Sequence, residues 1–131
     1  MTGDYKSWCV NKPEGLYKAL QHIKHAYNNP PVIVTENGCD SDKRDGLNDE
    51  KRVHYIHDHL VAVHTAINDE CNVAGYFCWS LMDNFEWAEG YEMRFGLYQV
   101  DFRDIHRARK PRSSAAYYAR VCESNTVPPL D

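Results

Sequence analysis

The apolar positions of this chain follow two patterns, one typical of helices and one typical of buried strands. Residues 13–27 and 49–69 carry apolar side chains at helical spacing, so each range is predicted to be a helix. The runs 31–36 and 73–81 are almost continuously apolar, which favours strands that are buried on both faces. A strand, a helix of roughly twenty residues and a second strand form a βαβ unit, which predicts a parallel strand pair with a right-handed crossover.

The ends of the remaining elements are indicated by single residues and by composition. Asn48 is the predicted N-cap of the second helix. A long aromatic-rich loop follows the second strand and leads into an extended segment over 95–102. Residues 111–122 are predicted to form a last helix, and residues 123–131, with two adjacent prolines, a flexible tail. The candidate packing positions of that helix are Ala115, Ala116, Tyr118, Ala119 and Cys122.

The chain is predicted to be one part of a larger α/β domain. Its 131 residues suffice for a single small domain with a modest core. Two parallel strands with three helices do not close a sheet, however, and both strands are too apolar to lie at exposed edges. We therefore expect residues 1–131 to belong to one domain whose remaining strands come from outside this stretch of sequence.

Composition and charge argue against two classes of partner. The formal net charge is −4, so the protein has no overall positive field to attract nucleic acid or anionic lipid. The one basic run precedes the last helix and is predicted to be a solvated loop; it contains Arg107, Arg109, Lys110 and Arg112. No apolar run approaches the ~20 residues that a membrane-spanning helix needs. We expect neither nucleic-acid binding nor membrane binding.

Histidines and cysteines are numerous but do not form a metal-binding pattern. The five cysteines are widely spaced and lack the pairing that zinc sites use. Four histidines crowd the second predicted helix, at positions 54, 57, 59 and 64. On a helical wheel no three of them converge, so we expect no metal ion.

The candidate chemistry lies where the two predicted strands end. Glu36 closes the first strand and precedes an Asn-Gly turn, while Trp79, Glu86 and Trp87 follow the second strand. Parallel strands bring their carboxyl ends to one edge of the sheet. An indole face stacks on the C–H face of a sugar, and a carboxylate accepts hydrogen bonds from two hydroxyls. The pattern predicts a carbohydrate site, with an aromatic-rich packed loop as the alternative.

Two segments carry a resemblance to a known family. Residues 34–38 (VTENG) and 75–87 (GYFCWSLMDNFEW) resemble the motifs of glycoside hydrolase family 1, the β-glucosidase family. Shorter matches occur along most of the chain, at 13–16, 27–31, 90–91, 94–97 and 100–101. The resemblance implies a (β/α)8 TIM barrel, of which this chain would be the C-terminal portion with strands seven and eight.

The resemblance also implies residue roles. Glu36 matches the catalytic nucleophile, and Trp79 matches the platform beneath the glycone ring. Glu86 matches the residue that binds two distal hydroxyls, with Trp87 as a hydroxyl donor beside it. Phe95 matches an aromatic residue near the exocyclic end of the sugar. These positions imply a retaining β-glycosidase that hydrolyses O-glycosidic bonds through a glycosyl-enzyme intermediate and needs no cofactor.

The substrate expected from this resemblance is a small, non-phosphorylated β-D-glycoside. A carboxylate at Glu86 would repel the phosphate of a 6-phospho-glycoside. The acid/base carboxyl of the family lies in an Asn-Glu-Pro motif, which this sequence does not contain. We therefore expect the remainder of the barrel to be required and the 131 residues alone to be inactive. The alternative is a catalytically incompetent sugar-binding fragment or pseudoenzyme.

Overall fold

The computed structural model describes residues 9–41 and 45–130 and confirms the predicted order of helices and strands. The elements are α1 (Pro13–Ala26), β1 (Val32–Asn37), α2 (Glu50–Asn68), β2 (Val73–Cys78), β3 (Tyr98–Val100), β4 (Arg109–Pro111) and α3 (Ser113–Ser124). A short 3-10 helix, Trp87–Glu89, lies in the loop between β2 and β3. The second strand is shorter than predicted, and the extended segment over 95–102 contains only the three residues of β3.

The two predicted strands pair in parallel. Val34 of β1 lies opposite Tyr76 of β2, and Asn37 lies opposite Cys78. Helix α2 connects the strands, as the βαβ pattern predicted. The short strands β3 and β4 form a separate antiparallel hairpin. The carboxyl ends of β1 and β2 consequently lie side by side, and the predicted site residues start from there.

Helices cover one face of the parallel pair. The larger apolar cluster joins α2 and α3 through Ile56, Leu60, Leu97, Ala115 and Tyr117, all buried. A second cluster joins α1 and α2, with Leu20 and Ala66 at its centre. Burying a leucine or isoleucine side chain contributes about 1.5–3 kcal/mol, so these two clusters supply the main apolar stabilisation of the chain.

The other face of the parallel pair is open. Ile33 of β1 is 53% exposed and Phe77 of β2 is 60% exposed. The two faces are therefore not both covered within the described residues, and burial of both faces stays a prediction for the larger domain. The same apolar composition is what a strand needs when both of its faces are covered in a parallel barrel.

Two predictions about helix ends are corrected. Helix α2 begins at Glu50 with Asp49, not Asn48, in the N-cap position. The Asp49 side chain makes no capping hydrogen bond and binds the start of α3 and the Arg52 guanidinium. Helix α3 begins at Ser113, because Pro111 belongs to β4.

The packing face of α3 also differs from the prediction. Ala115 is buried as predicted. Tyr117, which is not among the predicted packing positions, is also buried. Tyr118 is half-buried, whereas Ala116, Ala119 and Cys122 are exposed.

The segment after α3 contacts the core. The Tyr117 hydroxyl donates a hydrogen bond to the Pro128 carbonyl (3.2 Å), and Val127 and Leu130 pack against the larger apolar cluster. Residue 131 lies outside the described residues, and the flexibility of 123–131 stays a prediction. Within the described part of the chain, the helices are too short or too polar to span a bilayer.

Candidate active site

Glu36 and Trp79 lie at adjacent strand ends. Glu36 is the penultimate residue of β1, and its side chain is exposed. The neighbouring Asn37 accepts a hydrogen bond at its carbonyl from the Trp79 backbone N–H (2.9 Å) and at its side-chain oxygen from the Tyr76 hydroxyl (2.7 Å). The end of β1 is thus held directly against the residue that follows β2.

A glycine permits this close approach. A Cβ placed on Gly38 would lie 1.8 Å from the carbonyl oxygen of Trp79 and 2.8 Å from its carbonyl carbon. No side chain fits at that distance, so the turn after Glu36 requires glycine at this point. The Asn-Gly pair indicated in the sequence therefore serves backbone packing between the two strand ends.

The loop after β2 folds back along its own return segment. The Ser80 N–H donates to the Phe95 carbonyl (3.1 Å), the Leu97 N–H donates to the Ser80 carbonyl (2.8 Å), and the Asp83 N–H donates to the Tyr98 carbonyl (3.0 Å). Phe95 is only 8% exposed, so its ring packs inside the loop.

Glu86 and Trp87 lie at the tip of this loop in a tight turn. The Glu86 N–H donates to the Gly90 carbonyl (2.6 Å), and the Glu86 carbonyl accepts from the Glu89 N–H (2.9 Å). Gly90 has a positive φ of 57°, which glycine adopts at little cost. Trp87 is 81% exposed and Glu86 is half-buried, so the turn displays an indole beside a carboxylate.

The sequence-based prediction missed Asp83, a buried carboxylate that ties the loop together. Asp83 Oδ1 accepts a hydrogen bond from the Gly96 N–H (3.0 Å), and Oδ2 accepts one from the Val100 N–H (3.2 Å). The Arg112 guanidinium binds both oxygens, at 3.1 Å and 2.9 Å. The prediction that Arg112 belongs to a solvated basic loop is wrong, because Arg112 is 5% exposed. The available signal was a lone aspartate inside an aromatic motif.

A second buried ion pair lies beside the first. Arg52 and Asp49 are both fully buried, with Arg52 Nη1 3.2 Å from Asp49 Oδ2. The Arg52 guanidinium also donates to three backbone carbonyls, of Cys39, Arg94 and Gly96. Arg52 lies outside the apolar stripe that predicted α2, so the periodicity of the sequence gives no signal for this role.

Burial keeps three further groups near the strands neutral, namely the thiols of Cys39 and Cys78 and the hydroxyl of Tyr55. Burial raises the pKa of the Cys39 and Cys78 thiols to about 12, and it raises the pKa of the Tyr55 hydroxyl to about 12. Neutral thiols are poor nucleophiles and poor metal ligands. Across residues 9–41 and 45–130, no three His, Cys, Asp or Glu side chains are arranged to hold a metal ion.

Sequence comparison identifies close relatives. The model of Glycosyl hydrolase family 1 matches residues 2–127. Beta-glucosidase 40 of Arabidopsis thaliana is 44% identical over 126 residues, which cover 91% of this chain and 24% of that protein. Raucaffricine-O-beta-D-glucosidase of Rauvolfia serpentina is 46% identical over 124 residues, covering 90% and 23% respectively. The chain thus spans about a quarter of the length of these curated relatives.

Solved structures agree with the sequence match. An aphid myrosinase superposes with a TM-score of 0.86 at 40% identity, covering 94% of this chain and 26% of that structure. A β-glucosidase from Thermotoga maritima in complex with isofagomine lactam superposes with a TM-score of 0.85 at 36% identity, covering 98% of this chain and 30% of that structure. A glucose complex of a β-glucosidase from Humicola insolens superposes with a TM-score of 0.82 at 38% identity, covering 89% of this chain and 26% of that structure.

These matches define the class of fold and then the family. The parallel βαβ unit is part of a (β/α)8 barrel, which confirms the predicted fold class. The chain belongs to glycosyl hydrolase family 1. Two of the predicted site residues, Glu36 and Trp79, lie at the carboxyl ends of two neighbouring strands, where barrel enzymes of this architecture place their active sites.

Proposed function

We propose that this chain supplies the nucleophile and the glycone-binding loop of a retaining β-glycosidase. The observation that carries the proposal is the position of Glu36. Its exposed carboxylate lies at the end of β1. The end of β2 lies beside it, and the partly exposed indole of Trp79 follows directly after β2. A carboxylate beside an indole suits attack on a sugar that stacks on the indole.

The proposed reaction has two displacement steps. The Glu36 carboxylate attacks the anomeric carbon, the bond from that carbon to the aglycone oxygen breaks, and an acid protonates the departing oxygen. Water then attacks the glycosyl ester and gives up a proton to the same acid/base group, which restores Glu36. The second carboxyl must lie about 5–5.5 Å from the first, and we propose that the remainder of the barrel supplies it.

The proposed substrate is a small, non-phosphorylated β-D-glycoside. Glu86 presents a carboxylate at the turn, which suits neutral hydroxyls and disfavours a phosphate. Trp87, 81% exposed, offers an indole N–H beside it. The names of the relatives support this substrate class, since they include β-glucosidases and a raucaffricine glucosidase.

The proposal is tested by removing the nucleophile from the complete barrel that carries this chain. Glu36→Gln keeps the shape of the side chain and removes its charge, so turnover of an aryl β-glucoside should fall by roughly 10⁴-fold or more. The matched control is Glu123→Gln, at the exposed end of α3, which should leave turnover unchanged. Turnover that survives Glu36→Gln would overturn the assignment.

A chemical rescue separates a lost nucleophile from a damaged fold. Glu36→Ala leaves room for a small anion beside the anomeric carbon. Added azide should restore turnover of an activated aryl glucoside and give a glycosyl azide of inverted configuration, because only one displacement then occurs. No rescue in a correctly folded variant would contradict the proposed role.

The second candidate function is sugar binding without catalysis. It arises because this sequence contains only one of the two catalytic carboxyl groups that hydrolysis requires. This sequence contains no Asn-Glu-Pro, so the acid/base group has to come from other residues. We therefore propose that the 131 residues alone hydrolyse nothing, and that activity appears only with the complete barrel. A complete barrel that binds a glycoside without hydrolysing it would favour this second candidate.

A further inference from the structure

We propose that Arg52 is a positioning residue that sets the distance between the loop after Glu36 and the loop that carries Glu86. The proposal rests on the function proposed above, because it concerns how the nucleophile and the sugar-binding carboxylate are held relative to each other. Arg52 lies on α2, outside both loops, and is fully buried.

The guanidinium of Arg52 contacts both loops at once. Its Nε donates to the Cys39 carbonyl (3.1 Å), which belongs to the segment directly after the Glu36 turn. Its Nη2 donates to the Arg94 carbonyl (2.6 Å), and its Nη1 donates to the Gly96 carbonyl, both on the loop after β2. One planar group therefore joins two segments that are more than fifty residues apart in sequence.

A direct backbone contact places the same two segments together. The Ser41 N–H donates to the Arg94 carbonyl (2.9 Å), beside the Arg52 contacts. The Arg94 carbonyl thus accepts from both Ser41 and Arg52. The fixed fork of a guanidinium suits three carbonyls in different directions, whereas the compact ammonium of a lysine cannot reach all three.

Arg52 is itself held in place by a buried carboxylate. Asp49 Oδ2 lies 3.2 Å from Arg52 Nη1 and accepts a hydrogen bond from the Ser114 hydroxyl (2.6 Å). Asp49 Oδ1 accepts from the Ser114 N–H (2.9 Å) at the start of α3. The charge of Arg52 is therefore compensated, and its position is fixed from α2 and α3 together.

The contacts continue to the turn that displays Glu86. The Gly96 carbonyl accepts from Arg52 and also from Arg112 Nη1 (2.5 Å), and Arg112 binds the Asp83 carboxylate. Asp83 lies three residues before Glu86, and Cys39 lies three residues after Glu36. The buried network therefore extends from just after one proposed site residue to just before the other.

This arrangement makes a specific prediction about substrates. A glycoside that contacts Glu36 and Glu86 together depends on the spacing of the two loops, whereas a glycoside that lacks the distal hydroxyls depends on the Glu36 loop alone. Loss of Arg52 should therefore penalise the first glycoside more than the second. A purely structural role would lower stability and would affect both glycosides equally.

The experiment measures kcat/KM in the complete barrel for an aryl β-glucoside and for the matching aryl glycoside without both distal hydroxyls. Arg52→Met should lower kcat/KM for the aryl β-glucoside by about 10²-fold, as expected for a displacement of about 1 Å between reacting groups. For the glycoside without distal hydroxyls, the loss in kcat/KM should be about tenfold or less. Arg52→Lys, which keeps the charge, should recover part of the difference. Lys51→Met, at the exposed neighbouring position, is the matched control and should change neither value.

The outcomes distinguish this inference from the proposed function. If Arg52→Met does not fold, the substrate difference in Arg52→Lys decides the question. Equal losses on both glycosides, or a lower Tm with unchanged kcat/KM, would overturn the positioning role. If Glu36→Gln retains activity, the proposed function fails, whatever the Arg52 variants do.

Discussion

Asp83 and Arg112 form a buried, two-pronged ion pair that joins the loop after β2 to the start of α3. Arg112 Nη1 lies 3.1 Å from Asp83 Oδ1, and Nη2 lies 2.9 Å from Oδ2. The same carboxylate accepts hydrogen bonds from the backbone N–H groups of Gly96 and Val100. The shape of the loop that displays Glu86 and Trp87 therefore depends on one aspartate.

Asp83→Asn should destabilise the fold strongly. The amide keeps the volume of the side chain but leaves the guanidinium of Arg112 buried without a counter-charge. Breaking a buried pair on one side costs about 3–5 kcal/mol, and we expect a loss of that size in the free energy of unfolding measured with urea. Glu123→Gln should stay within about 0.5 kcal/mol of the parent protein. A small effect of Asp83→Asn would show that the pair contributes little.

Gly38→Ala should displace the end of β1. A Cβ there would meet the Trp79 carbonyl oxygen, a backbone atom, at 1.8 Å, and a Cβ cannot rotate away because its position is fixed by its own backbone. The turn must move, so activity of the complete barrel on an aryl β-glucoside should fall by about 10²-fold, as for a 1 Å misplacement of a reacting group.

Gly15→Ala is the matched control for the glycine prediction. Nothing lies within 4 Å of the added Cβ, and Gly15 is in the first turn of α1. Alanine in a helix is favoured over glycine by about 0.5–1 kcal/mol, so this variant should be slightly more stable and equally active. If Gly38→Ala is as active as Gly15→Ala, the close approach of Gly38 to the Trp79 carbonyl is not required for activity.

Glu86→Gln should weaken sugar binding without removing the nucleophile. Hydrogen bonds to a charged group are worth about 1.5–3 kcal/mol, and the neutral amide loses part of each one. The loss is the difference between a charged and a neutral hydrogen bond, about 1–1.5 kcal/mol, so kcat/KM for an aryl β-glucoside should fall by roughly 5- to 10-fold per weakened contact. The glycoside without distal hydroxyls should be affected far less. An equal loss on both would contradict the role proposed for Glu86.

His59 should contribute to the way in which the free energy of unfolding changes with pH. Burial lowers the pKa of this imidazole, whose Nδ1–H donates to the Tyr55 carbonyl (2.8 Å). The unfolded chain therefore binds a proton at a higher pH than the folded chain, and folding stability falls as the pH drops below about 6.5. His59→Gln should flatten the decline of unfolding free energy between about pH 7 and pH 5.

The parts of the fold that follow simple periodicity were predictable. Continuous apolar runs indicated β1 and β2, a long apolar stripe indicated α2, and their order required parallel pairing. The position of Glu36 at a strand end followed from the same pattern, because the Asn-Gly turn marks where the strand stops.

The buried charges were not predictable, because periodicity assigns charged residues to the surface. Arg52 lies on α2 in an ordinary charged sequence, and its burial arises only when two distant loops fold over it. Asp49 was overlooked because Asn48 is an equally good N-cap by composition, and the contact between Asp49 and Ser114 forms only when α3 packs against α2. Phe95 shows the same limit, since its burial depends on how the loop after β2 folds back.

The central claim, that Glu36 forms the covalent intermediate, is tested most directly by trapping that intermediate. The complete barrel is incubated with a fluorinated β-glucoside whose glycosyl ester hydrolyses slowly, digested, and analysed by mass spectrometry. We predict one added fluoroglycosyl group on the peptide that contains Glu36, located on that carboxylate by fragmentation and absent in Glu36→Gln. A label on another carboxylate, or an active enzyme that acquires no label while it turns the compound over, would contradict the account.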